Sequence, residues 1–342
     1  MNERYSRQTL FSPIGDSGQQ KLNTSKVLIV GAGALGTAAA EMLVRAGIGH
    51  LVIVDRDYVE WSNLQRQQLY TETDAEAGTP KATAAAERLK AVNHEVDIQP
   101  YVSDFFDYVR QHFTADVDVI IDATDNFETR LFINDLAQRH CIPWIYGGAT
   151  ASTGMTYTFV PGVTPCFSCL LPTMPTEQDT CDTVGVIAPI IQWVTSHQVT
   201  EAMKLLTGNQ ASLRGTLIFT DIWGNEQTSM KMDQLKKDDC PSCGHDPTYP
   251  YLQTSSGTKT AVLCGRDTVQ IRPLEGERLE PEAVKQKLEG VAQKLAANDL
   301  LIHARLDDKR RIVVFHDGRV LLHGMQSVEE AQSIYDRHIR TT

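Results

Sequence analysis

A glycine-rich segment followed by an acidic residue gives the first chemical signal in this sequence. Gly31, Gly33 and Gly36 stand between an apolar run and a helical segment, and Asp55 ends the next apolar run. Glycines in such a turn let the backbone approach a phosphate at a helix N-terminus, and the acidic residue accepts the ribose hydroxyls. The pattern therefore predicts a nucleotide site, and by itself it is most typical of an NAD-dependent dehydrogenase.

The residues that follow favour ATP over NAD. Asn63, Arg66, Gln67 and Lys81 place two cations and two amides where a triphosphate would project, and a nicotinamide ring needs none of them. Taken singly, Lys81 is explained as a solvated side chain that opens a helix, and Arg66 as part of a surface ion pair. Together they predict a phosphate clamp.

A third candidate group follows another apolar run. Asp125 lies just after the segment Val117–Asp122, and ligands of open α/β sheets bind beyond the carboxyl ends of the strands. Asp125 and Glu128 also fit the capping-box pattern of the next helix. Helix capping and a role in ligand binding therefore both remain open for Asp125.

Four of the seven cysteines form two Cys-x-x-Cys pairs about seventy residues apart. Cys166 and Cys169 make the first pair, and Cys240 and Cys243, followed by Gly244, make the second. Two such pairs can surround Zn²⁺ with four thiolates, which leaves no open ligand position and predicts a structural site. The rival interpretation is a pair of disulfides, which an odd cysteine count and a reducing compartment disfavour.

These groups require a particular arrangement of helices and strands. Lys26–Val30 and His50–Val54 are predicted strands joined by a helix over Ala34–Ala46, which gives one βαβ unit. A further helix is expected over Phe127–Arg139. Strands outside the βαβ repeat are predicted to form an antiparallel extension, and they are Thr156–Val160, Leu217–Asp221 and Thr228–Met232.

Composition sets limits on the class of protein. The 342 residues carry 42% hydrophobic and 22% charged residues with a net charge of −11, which is typical of a soluble protein and disfavours nucleic-acid binding. No apolar run approaches the roughly 18 residues needed to cross a bilayer, and the N-terminus lacks the apolar segment of a signal peptide. We therefore expect a cytoplasmic protein that binds neither membranes nor nucleic acids.

Six motifs, in order along residues 1–245, resemble those of the MoeB/ThiF family. They are Arg4-Tyr-Ser-Arg7-Gln, the Gly31–Gly36 loop, Asp55-Arg-Asp57, Ser62-Asn-Leu-Gln-Arg66-Gln67, Pro80-Lys81 and Asp122-Ala-Thr-Asp125-Asn126. The family consists of bacterial relatives of ubiquitin-activating enzymes that adenylate the C-terminal glycine of small ubiquitin-like sulfur carriers. The resemblance implies a Rossmann-like α/β fold, ATP and Mg²⁺ as ligands, a carrier ending in Gly-Gly, and a separate sulfur-donor protein.

The resemblance also assigns roles to residues. Arg66, Lys81 and Asp125 are implied to be catalytic, with Mg²⁺ on Asp125, and Arg7 is implied to reach the ATP of the neighbouring subunit of a homodimer. Cys181 matches the place of a thiol implicated in handling the activated carrier, although an inert buried cysteine is the alternative. Cys141 and Cys264 are predicted to be buried structural thiols. The implied nucleotide-binding residues are Gly31, Gly33, Gly36, Asp55, Asp57, Ser62, Asn63, Leu64, Gln65, Arg66, Gln67, Lys81, Asp125 and Asn126.

A breaker-rich segment divides the chain. We predict an adenylation domain over residues 1–248 that includes the zinc-binding pairs, a linker over 249–258, and a small α+β domain over 259–342. In that domain a helix is expected over Pro281–Ala296. A rhodanese domain is disfavoured because the segment is too short, so carrier docking and dimer support remain open. An NAD-dependent oxidoreductase and a non-catalytic zinc-containing scaffold are the alternatives for the whole chain, and the identity of the carrier stays open.

Overall fold

The computed structural model describes residues 3–171, 184–253, 260–263, 268–271, 279–297, 301–315, 318–325 and 327–340. The chain divides into two units, residues 1–255 and 256–342. The first unit carries the motifs discussed above.

An eight-stranded sheet forms the centre of the first unit. Its order is β3-β2-β1-β4-β5-β6-β7-β8, in which β3 to β5 are parallel and β6 to β8 continue the sheet in antiparallel pairs. The predicted Rossmann-like sheet and its antiparallel extension are therefore confirmed. The strands are β1 Lys26–Val30, β2 His50–Asp55, β3 Asp97–Val102, β4 Val119–Asp122, β5 Trp144–Thr150, β6 Thr153–Phe159, β7 Thr216–Asp221 and β8 Glu226–Lys231.

Helices cover both faces of this sheet. Among the described residues of the first unit they are α1 Ser6–Thr9, α2 Gly15–Leu22, α3 Ala34–Ala46, α4 Glu72–Ala77, α5 Lys81–Val92, α6 Phe105–Gln111, α7 Phe127–His140, α8 Phe167–Leu170, α9 Ala188–Thr207 and α10 Pro250–Gln253. The helix α3 has the predicted bounds and ends at Gly47, whose φ of +80° suits glycine. The helix α9 begins with proline in its first turn and ends at Gly208, also left-handed.

Alternate residues of β1 belong to two different cores, which explains why this strand is apolar throughout. Val27 and Ile29 pack with α3, α5 and α9, whereas Leu28 and Val30 pack with α6 and α7. A strand covered by helices on both faces must be apolar on both, and burying each such side chain contributes about 1.5–3 kcal/mol. The two cores fix the carboxyl ends of β1, β2 and β4 at one edge of the sheet.

The second unit contains a six-stranded antiparallel sheet of order β11-β12-β13-β14-β10-β9. Val284 and Leu288 of one helix and Tyr335 of the other belong to the core of this unit. The strands are β9 Thr260–Leu263, β10 Thr268–Ile271, β11 Lys294–Ala297, β12 Leu301–Arg305, β13 Arg311–Phe315 and β14 Val320–His323, and the helices are α11 Pro281–Glu289 and α12 Val328–His338.

One predicted element of the second unit is wrong. The helix expected over Pro281–Ala296 ends at Glu289, with Gly290 after it, and Lys294–Ala297 instead pairs with β12. Glycine weakens helix continuation, and a partner strand offers the following backbone groups their hydrogen bonds. Local periodicity could not reveal that partner.

The segment predicted as a linker starts with the short helix α10. The backbone N–H of Tyr251 donates to Asp135 Oδ2 at 2.9 Å, and Tyr251 and Leu252 pack against the core beside α7. Residues 250–253 therefore belong structurally to the first unit. Within the described ranges, no helix combines the length and apolar character that crossing a membrane requires.

Candidate nucleotide site and cysteine cluster

The glycine loop touches the end of β4. Gly31 has a φ of +97°, and a Cβ added there would lie 2.6 Å from the carbonyl oxygen of Ala123. A Cβ at Gly36 would overlap the carbonyl oxygen of Gly31. Both glycines are thus required by close backbone approach, and this approach places the loop beside the segment that leads to Asp125.

Asp55 closes the loop from the side of β2. Its Oδ2 accepts a hydrogen bond from the backbone N–H of Ala32 at 2.6 Å, and its Oδ1 accepts one from the N–H of Asp57 at 2.7 Å. Burial raises the pKa of Asp55 above its ordinary value, and the charge of Lys81 opposes this shift. The carboxylate therefore lies where a ribose above the glycine loop would meet it.

Lys81 and Asp57 form an ion pair next to the same loop. Lys81 begins α5 with its side chain 3% exposed, and its Nζ lies 3.3 Å from Asp57 Oδ2. The hydroxyl of Tyr70 donates to the backbone carbonyl oxygen of Ala32 at 2.6 Å. It also lies 3.2 Å from the backbone carbonyl oxygen of Lys81. Tyr70 thus joins the glycine loop to the start of α5. The alternative interpretation of Lys81 as a solvated side chain is therefore wrong.

The segment after Asp57 contributes two buried side-chain amides, those of Asn63 and Gln67. Asn63 is buried, and its Oδ1 accepts from the N–H of Glu60 at 2.9 Å, which leaves Nδ2 as the group available to a ligand. Gln67 is also buried, and its Oε1 has no hydrogen-bond partner among the described residues. Its Nε2 lies 4.0 Å from the Cβ position of Gly33. A buried amide beside a glycine loop suits a nucleotide, since its oxygen can accept from a hydroxyl group and its NH2 can donate to a phosphate oxygen.

Other predicted site residues make no hydrogen bond to the glycine loop in the part of the chain that the structure describes. Arg66 Nη1 donates to the carbonyl of Ser62 at 2.9 Å, so the guanidinium folds back on its own turn. Ser62 and Gln65 are exposed, and Leu64 packs against the core. Arg7 is exposed on α1. Cys181 lies outside the described residues.

The helix cap beside Asp125 differs from the prediction. Asn126, not Asp125, is the N-cap of α7, since its Oδ1 accepts from the N–H of Thr129 at 2.9 Å. The predicted capping box of Asp125 with Glu128 is therefore wrong. Asp125 is exposed, and its Oδ1 lies 3.5 Å from Asn126 Nδ2. Its carboxylate faces solvent at the carboxyl end of β4, where it fits a hard cation.

A buried ion pair next to this carboxylate was missed by sequence reasoning. Arg130 Nε donates to Asp122 Oδ2 at 3.0 Å, and both side chains are buried. Burial alone would lower the pKa of Arg130, but the charge and hydrogen bond of Asp122, with a smaller contribution from Asp125, raise it above its ordinary value. No motif marked this arginine, because its importance comes from α7 packing over β4.

The four paired cysteines converge in the structure. The sulfur atoms of Cys166, Cys169, Cys240 and Cys243 all lie within 4.8 Å of one another, with distances of 3.8, 3.6 and 3.5 Å for 166–169, 166–240 and 169–243. Thiolates placed tetrahedrally around Zn²⁺ at about 2.3 Å are about 3.8 Å apart. A disulfide needs about 2.05 Å, so the cluster fits zinc and the disulfide alternative is wrong. A hydrogen bond from Cys166 lowers the pKa of Cys243 to about 5.

A hydrogen-bond network from α7 supports the two cysteine pairs. The middle serines of the pairs, Ser168 and Ser242, lie 3.0 Å apart between their hydroxyl oxygens. Asn134 accepts from the backbone N–H of Phe167 at 2.8 Å. Burial raises the pKa of the Asp135 carboxyl group, and a hydrogen bond from Ser242 opposes this shift. The pairs are therefore held in register by polar contacts besides the sulfur atoms. Hydrogen-bonding residues that surround metal ligands in this way fix the orientation of those ligands.

One cysteine lies in an unexpected environment. Cys141 was expected to be a buried structural thiol, but it is exposed. It occupies the position after α7 with a φ of +56°, a left-handed conformation that ends the helix at the surface. Cys264, for which burial was also expected, lies outside the described residues.

The fold and this arrangement of residues are typical of an α/β nucleotide-binding enzyme with a structural zinc cluster. Residues 5–242 match the ThiF family. A sulfur carrier protein ThiS adenylyltransferase of Bacillus subtilis is 49% identical over 344 residues, which cover 99% of this chain and 100% of that protein. A SAMP-activating enzyme E1 of Haloferax volcanii is 39% identical over 245 residues, covering 71% of this chain and 88% of that protein.

Solved structures agree on the fold. A crystal structure of E. coli MccB with ATP matches with a TM-score of 0.60 and 23% identity over 71% of this chain and 75% of that one. The chain belongs to the ThiF family, and it is an adenylyltransferase. The alternatives of an NAD-dependent oxidoreductase and of a non-catalytic scaffold are therefore wrong.

Proposed function

We propose that the protein adenylates the C-terminal glycine of a ubiquitin-like sulfur carrier of the ThiS kind. The carrier's terminal carboxylate oxygen attacks the α-phosphorus of ATP, the bond to the β-phosphate oxygen breaks, and pyrophosphate leaves with the electron pair. The product is an acyl-adenylate ready for conversion to a thiocarboxylate. Pyrophosphate exchange into ATP is the direct measure of this step.

The main support for this proposal is the set of side chains around the glycine loop. The glycine loop is surrounded by Asp55, the Lys81–Asp57 pair and the buried amide of Gln67, which are groups suited to a ribose and a chain of phosphates. The relative named for ThiS supports the choice of carrier, since the similarity extends over the whole chain, including the second unit.

Each residue then has a role that follows from its place. Asp55 would accept the ribose hydroxyls, and Lys81 and Arg66 would neutralise phosphate charge as it moves toward the leaving pyrophosphate. Asn63 Nδ2 and Gln67 would orient the phosphates. Asp125 would hold Mg²⁺, which supplies further neutralisation of the phosphates when bound. No covalent enzyme nucleophile is required, so catalysis rests on alignment and electrostatics.

Arg66 must change its present conformation to act in this way. Its guanidinium donates to Ser62 of its own turn, and such a solvent-exposed hydrogen bond is exchanged at little cost. Arg7 would act from the neighbouring subunit, which makes the active enzyme a homodimer. We propose residues 1–248 as the adenylation domain and 259–342 as a domain for carrier docking or dimer support.

Cys181 belongs to the step after adenylation in this proposal. A separate sulfur donor would supply sulfur to the activated carboxyl group, and the thiol would assist that transfer. Cys181→Ser should therefore leave pyrophosphate exchange intact and slow thiocarboxylate formation. Loss of exchange in a folded Cys181→Ser protein would contradict the placement of the thiol.

The experiment that tests the function compares two purified carriers in one exchange assay. A ThiS-type carrier and a molybdopterin-synthase small subunit are each added with ATP and Mg²⁺, and each is also tested without its terminal Gly-Gly. We expect exchange with the intact ThiS-type carrier and none with the shortened one. Exchange with the molybdopterin-type carrier alone would overturn the choice of carrier, and exchange with neither would overturn the proposed function.

A further inference from the structure

Two buried side chains join β4 and β5 where these strands separate. Backbone pairing between the strands ends at Ile121 and Ile145. Just beyond that pair, Gln198 Nε2 of α9 donates to the carbonyl oxygens of Asp122 at 2.8 Å and of Ile145 at 3.1 Å. Each strand thus supplies one carbonyl to the amide.

Arg130 of α7 makes the same kind of bridge two residues further toward the carboxyl ends of the strands. Its Nη2 donates to the carbonyl oxygens of Thr124 at 2.7 Å and of Gly147 at 3.1 Å. Gln198 and Arg130 therefore replace the missing backbone ladder with side-chain donors from helices on opposite faces of the sheet. The carbonyl groups of both strands therefore keep hydrogen-bond partners beyond the point where backbone pairing ends.

The rest of the Arg130 side chain is fixed as well. Its Nε bonds Asp122, whose Oδ1 accepts from the N–H of Thr124 at 2.9 Å and from its hydroxyl at 2.6 Å. The guanidinium carbon lies 4.9 Å from the centre of the Tyr146 ring. A planar fork can make these contacts at once, whereas an ammonium group cannot. Arg130 thereby fixes residues 122–124, which lead directly into Asp125.

The glycine at position 147 is explained by this same cluster. A Cβ there would overlap the side-chain amide of Gln198, so glycine is needed to admit Gln198 between the strands. Gly147 lies within β5. Close packing against Gln198 accounts for the glycine at this position.

We propose that Arg130 is a positioning residue for adenylation, which holds the Asp125 loop at a fixed distance from the β5 edge. The inference rests on the proposed function, because it takes Asp125 to act on the phosphates of ATP. A displacement of about 1 Å in such a group can cost roughly a hundredfold in rate. Arg130 itself is buried and acts through Asp125.

Two variants test this without leaving an unpaired buried charge. Arg130→Lys keeps the positive charge and loses the planar set of guanidinium donors. Arg130→Gln combined with Asp122→Asn removes both charges. In both we expect kcat for pyrophosphate exchange to fall by about a hundredfold, a higher Mg²⁺ concentration for half-maximal rate, and a carrier KM changed by less than about threefold. Arg139→Lys, at an exposed position of the same helix, is the matched control.

A double-variant cycle separates positioning from a general structural role. If Arg130 acts through Asp125, adding Arg130→Lys to Asp125→Asn should lower exchange by less than about threefold, because the group being positioned is already lost. Folded variants with unchanged kcat and Mg²⁺ requirement, or fully additive losses, would overturn the inference. Absence of exchange in the unmodified protein would instead overturn the proposed function.

Discussion

Asn126 caps α7 through a 2.9 Å hydrogen bond from the backbone N–H of Thr129, and this leaves the neighbouring Asp125 outside the helix cap. The two adjacent residues therefore have separate duties. Asn126 stabilises the helix start by an amount typical of such caps, about 1 kcal/mol. The exposed Asp125 carboxylate contributes little to the fold and is available for chemistry.

Asp125→Asn should separate activity from stability. We expect pyrophosphate exchange to fall at least about a hundredfold, since the carboxylate that would hold Mg²⁺ is lost, with a melting temperature changed by less than about 2 °C. Asn126→Ala is the matched variant, and it should lower the melting temperature by removing the cap. Retained exchange in Asp125→Asn would contradict the role of the carboxylate.

Arg66→Ala should nearly abolish activity without affecting the fold. The Arg66 guanidinium contacts only Ser62 of its own turn among the described residues, so its removal breaks no buried interaction. Loss of an arginine that neutralises transferring phosphate costs about 10³ or more in rate in comparable chemistry. Steady-state exchange at saturating ATP and carrier measures this loss. Arg45→Ala removes an exposed arginine paired with Glu41 on α3 and should retain full exchange.

The sequence predicted the parts of the site that depend on local pattern. The glycine loop, Asp55 at the end of β2 and the two cysteine pairs follow from spacing that a βαβ unit or a tetrahedral ion imposes. The bounds of β1 and α3 were also predicted, because both strand faces and the helix start carry clear signals.

Contacts between distant segments account for what was missed. Arg130, Gln198 and Asp135 have no motif, and each becomes important only when α7 and α9 pack on the sheet. The strand β11 was mistaken for helix for a different reason: it pairs with β12, the next strand in the chain, and the side-chain periodicity of residues 281–296 does not show where the helix ends. Asn126 and Asp125 are both good caps, and only backbone geometry distinguishes them.

Removal of zinc should destabilise the first unit. Structural zinc contributes on the order of 10 kcal/mol to folding in small domains, so a strong chelator should lower the melting temperature by at least about 5 °C. The serine contact between the cysteine pairs predicts a finer effect. Ser242→Ala should raise the zinc dissociation constant by about tenfold in a chelator competition, because it removes a contact that orients the ligands.

A cysteine outside the cluster provides the control for zinc binding. Cys141→Ser should leave the zinc content at one ion per chain and the melting temperature unchanged, because Cys141 is exposed at the end of α7. Cys243→Ser should lower both. Equal zinc content in Cys243→Ser and the unmodified protein would contradict the assignment of the cluster.

The partly buried carboxylate of Asp55 should make the unliganded protein less stable as the pH rises. Burial raises its pKa above 3.8, so the folded state holds the proton more tightly than the unfolded state does. The free energy of unfolding therefore falls with rising pH between the unfolded and the folded pKa and stays lowered above both. Each unit of elevation corresponds to about 1.4 kcal/mol.

Urea unfolding of Asp55→Asn and of the unmodified protein measures this effect from about pH 4 to about pH 7. The difference in unfolding free energy, variant minus unmodified protein, should increase with pH, because only the unmodified protein must ionise a partly buried carboxylate. Altered hydrogen bonding of the new amide shifts this difference by a constant and leaves its slope unchanged. Asp238→Asn, at an exposed position, controls for the substitution. A difference that does not vary with pH would show that Asp55 titrates normally in the folded protein.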